Sequence, residues 1–136
     1  MKRVFLWLLA FAGAANCVFV PLLFAASMQL PFFLLPGLYF IEIAALGLLG
    51  VVSVVRAQST PSGWLGNIPW ITAGVLLAFN ILGAWTIGLF LIPGTVSFLG
   101  VGFFLAERQK IWQGLGLFLV AAIAQAGLML ALIGIV

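Results

Sequence analysis

Charged and polar positions divide the chain into four apolar blocks, residues 4–26, 32–55, 68–106 and 111–136. A helix crossing a hydrocarbon core about 30 Å thick needs about 20 apolar residues. The first, second and fourth blocks have that length. The third runs to 39 residues, which at about 1.5 Å per residue makes nearly 60 Å of helix. Tilt does not absorb twice the core thickness, so this block must fold back once, near Gly83-Ala84-Trp85-Thr86 and before Pro93. The pattern predicts an all-α integral membrane protein with five transmembrane helices, at about residues 4–26, 31–56, 68–84, 87–106 and 112–135. They are expected to form a single helical domain over residues 1–136, with no soluble domain.

The few charges then give a direction. Cytoplasmic flanks of membrane helices collect Lys and Arg. With five spans and a cytoplasmic N-terminus, Lys2, Arg3, Arg56, Arg108 and Lys110 all fall inside, and the C-terminus lies outside. Four spans would place Arg108 and Lys110 opposite Arg56. Trp64, Trp70 and Trp112 are then expected at the cytoplasmic interface and Trp85 at the outer one, with Trp7 just inside the cytoplasmic end. Residues 56–63 form the only real linker, with turn-forming composition.

Composition removes most other classes. The chain is 66% hydrophobic and 5% charged, with a mean hydropathy of +1.40, whereas globular domains carry about 25% charged residues. Lipid must be its solvent. A net charge of +3 is too small for a nucleic-acid footprint, so no nucleic acid is expected as a partner. The chain has no histidine, the usual ligand of haem and catalytic zinc and the commonest general base. Two acids, Glu42 and Glu107, and one thiol, Cys17, do not assemble a familiar catalytic set. No enzymatic activity, metal or cofactor is expected.

Lys2-Arg3, the apolar run after them and Ala12-Gly13-Ala14 together look like a secretory signal. Ala14-Ala15-Asn16-Cys17 has the outline of a lipoprotein cleavage box but departs from it at Ala14 and Asn16. The apolar run continues to Ala26, so the segment reads as an uncleaved first span. Residues 33–37 and 90–94, Phe-Leu-Leu-Pro-Gly and Phe-Leu-Ile-Pro-Gly, match at an offset of 57. That fits a weak parallel repeat of residues 1–58 and 64–110, or simply the tolerance of Pro-Gly near helix starts.

Small residues mark helix-packing faces, because association in lipid relies on close backbone approach. Ala124, Gly127, Ala131 and Gly134 recur at three- and four-residue steps on the fifth helix. Gly37, Ala44 and Gly47 do the same on the second, and Gly94, Ser97 and Gly100 roughly so on the fourth. The first expectation is packing within the chain; the second is a face for a partner helix.

Glu42 is the one charged side chain deep within a span, and the sequence offers it no counter-ion there. A bare carboxylate in hydrocarbon is costly, so Glu42 must be neutral, hydrogen-bonded, paired with another molecule or engaged in function. Counted from the cytoplasmic ends at about 1.5 Å per residue, Asn16 and Asn80 lie about 18 Å deep, Gln125 about 20 Å and Glu42 about 21 Å. The Pro93-Gly94-Thr95 helix break comes to about 18 Å on the same scale. Tyr39 stands one turn from Glu42. The candidate site is therefore a polar layer of Glu42, Asn16, Asn80, Gln125, Thr95 and Tyr39 around a break at Pro93 and Gly94. As a structural device, a protonated Glu42 would donate to one of these neighbours and fix helix register. As a functional one, the layer would bind a proton, a cation or a polar substrate, as polar residues beside broken helices do near the midplane.

Two functions follow as expectations. The first is an accessory or scaffolding subunit, or a helical-bundle interaction protein, whose partners are the bilayer and other membrane subunits or further copies of itself. The second is a small oligomeric proton- or ion-coupled transporter with Glu42 as the coupling acid. The lack of large extramembrane segments points to a prokaryotic plasma (inner) membrane.

Overall fold

A computed structural model describes residues 2–27, 34–59, 64–106 and 110–135. They form α1 (Lys2–Ser27), α2 (Leu34–Ser59), α3 (Ile68–Leu82), α4 (Gly88–Leu105) and α5 (Ile111–Ile135). A 3-10 turn, Leu65–Asn67, leads into α3 and places Pro69 in its first turn, where a missing N–H does no harm. All five helices are long and apolar enough to cross a membrane, α3 when taken with its 3-10 turn. The long apolar block does fold back where its length required. Between α3 and α4 the Gly83 carbonyl accepts from the N–H groups of Thr86 (2.9 Å) and Gly88 (2.7 Å), and Gly83 N donates to Phe79 O at 2.8 Å. These bonds close the reversal within six residues, with the Gly83 carbonyl accepting twice.

α1 lies between α2 and α4, and α3 lies between α4 and α5, with α2 also closing on α3. Ring contacts of Phe5 with Phe104 and of Phe24 with Phe90 set α1 antiparallel to α4. Glycines let these backbones approach. The fully buried Phe98 ring is seated against Gly13 of α1 and Gly50 of α2, where any Cβ would strike it. A Cβ on Gly47 would stand 2.7 Å from that of Cys17. The expected small-residue faces on α2 and α4 thus serve packing against α1, through Gly47, Gly94 and Gly100.

Two sequence expectations are corrected. Trp70 is not an interfacial belt residue: it is 1% exposed, because Gly102 and Gly114 leave room for its indole and Phe103 meets it edge-on at 4.7 Å. The other correction concerns α5. Ala124, Gly127, Ala131 and Gly134 are all exposed, and a Cβ on Gly127 or Gly134 would meet nothing within 4 Å. This stripe lies outside the packing of the chain on itself. α5 rests on α3 through Gly114, and through Gly74 against Phe118 and Ala121 instead. Of the two repeated pentapeptides, the one at 33–37 begins outside the described residues, while Pro93 sits inside α4.

Candidate functional site

Pro93 has no N–H, so within α4 the Leu89 carbonyl has no donor four residues on. One residue later, a carboxamide from α1 reaches the same stretch of helix. Asn16 Nδ2 donates to Phe90 O at 3.0 Å, and Gly94 N donates to Asn16 Oδ1 at 3.1 Å. Phe90 and Gly94 are the two residues that an α-helix pairs with each other. The Asn16 side chain therefore spans both members of one helical hydrogen bond. Gly94 is needed for this approach, since a Cβ there would lie 2.8 Å from Asn16 Oδ1.

The next residue of α4 faces α3. Asn80 Nδ2 donates to Thr95 Oγ1 at 2.8 Å, and Thr95 Oγ1 donates on to Leu91 O at 3.2 Å. Asn80 Oδ1 is buried without a partner. Beside it Tyr39 of α2 packs edge-on against Phe79 at 5.6 Å, and the Tyr39 hydroxyl is likewise buried and unpartnered. Glu42 is half-buried and faces Gln125 of α5. Gln125 is 7% exposed, yet its Nε2 makes no hydrogen bond within distance and angle limits. The Glu42 carboxyl and the Gln125 carboxamide are thus close enough to interact, but through a loose contact rather than a well-aligned N–H···O bond.

A cavity of about 300 Å³ opens on the Tyr39 side of this pair. Its walls come from α1 (Phe24), α2 (Tyr39, Phe40, Ile43), α3 and the following turn (Phe79, Leu82, Thr86) and α5 (Met129). It is almost wholly apolar and partly open. Glu42 and Gln125 are not among its walls; each stands one helical turn from a wall residue, Glu42 from Tyr39 and Gln125 from Met129.

The candidate residues therefore form three groups. Asn16 joins Gly94 beside Pro93, Asn80 joins Thr95, and Glu42 meets Gln125 with Tyr39 one turn away. The first two groups share adjacent residues of α4. Glu42 has no basic partner among the described residues and does not reach Asn16, Asn80 or the Pro93 break by any hydrogen bond. Among these residues no group of three or more Cys, Asp or Glu side chains comes together. The cavity itself was not foreseen. Phe24, Phe40, Phe79 and Met129 resemble any other apolar residues of a span, and only packing sets them around an empty volume.

The chain matches no family model, no curated protein and no solved structure.

Proposed function

We propose that this chain is a non-catalytic subunit or helical-bundle interaction protein of a larger assembly in a prokaryotic plasma membrane, with its N-terminus cytoplasmic and its C-terminus outside. The observation that carries the reading is the outer face of α5, where Ala124, Gly127, Ala131 and Gly134 lie exposed among Val120, Ile123, Leu130 and Ile133. Lipid tails are as apolar as leucine, so a helix gains little from burying leucines there. What draws helices together is close backbone contact, and the chain leaves this smooth stripe unused. The basic residues at the α1 start, the α2 end and the α4–α5 connection support the orientation.

A photo-crosslinking amino acid at position 127 tests the reading in membranes of cells expressing the full chain. The expected result is a discrete adduct at 127, either a homodimer or one defined membrane protein, and none from position 48 on the exposed flank of α2. Equal labelling of lipid from both positions would remove it.

A second reading has one observation in its favour. Glu42 stands one helical turn from the cavity residue Tyr39 and lacks a basic partner among the described residues, as a coupling acid in a proton- or ion-coupled carrier would. Reconstituted vesicles showing uptake driven by a pH gradient, lost in Glu42→Gln, would support it.

A further inference from the structure

From the cavity and its flanking acid, we infer a binding site for an organic monocation: one ammonium on a compact aromatic or branched apolar body. The inference goes beyond the interaction role and needs neither a protein partner nor transport.

The cavity sets the size. At about 300 Å³ it has about twice the volume of the engineered apolar cavity that takes up benzene, and it falls at the small end of natural ligand sites. That suits a single ring with a small branched group. Its walls set the character of the guest. Phe24, Tyr39, Phe40 and Phe79 supply four aromatic rings, whose faces attract a cation, most strongly where water is excluded.

Glu42 sets the charge. It is the one acid in the described spans, it is not fully buried, and it has no basic partner there. The polar side chains placed near it, Gln125 across from it and Tyr39 one turn away on α2, bring no formal positive charge. A carboxylate in hydrocarbon is strongly disfavoured unless a positive charge accompanies it. A bare metal ion fits poorly, because hard cations take about six or more oxygen ligands and one carboxylate among phenyl rings does not provide them. A neutral apolar guest would fill the cavity but leave Glu42 as it is. An ammonium whose body fills the cavity would carry its charge at the end nearest Glu42, one helical turn beyond Tyr39, among the aromatic walls.

Benzyltrimethylammonium and its neutral isostere neopentylbenzene separate charge from shape. Binding of each to the purified full-length chain in mild detergent is measured by equilibrium dialysis. The expected result is saturable 1:1 binding of the cation, tighter than the isostere by about tenfold or more, the scale of one desolvated cation contact. Glu42→Gln should abolish that preference and leave the isostere unchanged. Met129→Trp, which fills the cavity, should weaken both. Equal binding of the two compounds to the unmodified chain, or no binding of either, overturns the inference, and neither result depends on a variant folding. Because dialysis reads the isolated chain, its failure leaves the α5 crosslink at position 127 standing, and the reverse.

Discussion

The Asn16 carboxamide and the Gly94 amide are joined across α1 and α4 at 3.1 Å, while the other end of the same carboxamide holds Phe90 O at 3.0 Å. One side chain thus services the backbone next to a proline, at a depth where water is absent to do so. Asn16→Leu removes both cross-helix bonds and leaves Gly94 N–H and Phe90 O only each other, as in an ordinary helical turn. Polar contacts between membrane helices average about 0.6 kcal/mol and reach about 1.7. With two bonds to backbone lost, Asn16→Leu should cost about 1–2 kcal/mol. Asn16→Asp, which still accepts from Gly94 but cannot donate to Phe90 when ionised, should also destabilise. Reversible unfolding in mixed detergent micelles measures both.

Glycine substitutions should divide sharply by position. A Cβ on Gly94 would lie 2.8 Å from Asn16 Oδ1, so Gly94→Ala must push the carboxamide away and should cost about 1–3 kcal/mol. Gly127→Ala meets nothing within 4 Å. In the isolated chain it should be neutral or stabilising by up to about 1 kcal/mol, through helix propensity alone. Thermal melting of the two variants in one detergent compares them directly. A loss of stability in Gly127→Ala only when the chain is in its native membrane would locate a partner on that face.

Five helices and their fold-back were legible because length and hydropathy decide them. A 39-residue apolar run cannot cross a bilayer about 30 Å thick only once. The polar residues were legible as a set, since a carboxamide in hydrocarbon stands out against leucine. Their pairing was not. Depth along a helix is counted from its end, but angular position around the bundle comes from which helices touch, and the order α2–α1–α4–α3–α5 is not written in any local pattern. Asn16 and Glu42 share a depth, yet one turns to α4 and the other to α5. The same ignorance of angle misplaced Trp70. Its indole is buried because Gly102 and Gly114, on two other helices, happen to face it.

Asn80 and Thr95 should be energetically coupled. Thr95→Val keeps the shape and removes the oxygen that accepts from Asn80 at 2.8 Å. Asn80 Oδ1 already lacks a partner, so the variant leaves its carboxamide without a cross-helix bond. A double-mutant cycle of Thr95→Val with Asn80→Leu should give a coupling of about 0.6–1.7 kcal/mol. Additive effects would mean that this bond contributes nothing to the α3–α4 hairpin.

The turn between α3 and α4 gives the orientation a direct test. Trp85 is fully exposed there, and Cys17, the only native cysteine, is buried. A membrane-impermeant thiol reagent added to intact cells should therefore label Trp85→Cys and leave the parent chain unlabelled. Labelling of Trp85→Cys only after the cells are opened would place this turn in the cytoplasm and reverse the topology.

Glu42 separates structure from function most cleanly. Were its carboxyl a register-fixing donor, a satisfied hydrogen bond should be visible, and Glu42→Leu should disrupt the bundle. Instead the carboxyl has only a loose side-chain contact with Gln125, whose Nε2 falls outside strict hydrogen-bond limits. An acid held by one loose contact gains little stability from it, while its placement in hydrocarbon costs free energy. Glu42→Leu and Glu42→Gln should therefore both fold, and Glu42→Leu should match or exceed the parent in unfolding free energy. A loss above about 2 kcal/mol in Glu42→Leu, the scale of a buried polar network broken at one member, would return Glu42 to a structural role. If stability is kept, the carboxyl is a destabilising group retained beside an apolar cavity, which is the behaviour of a binding residue.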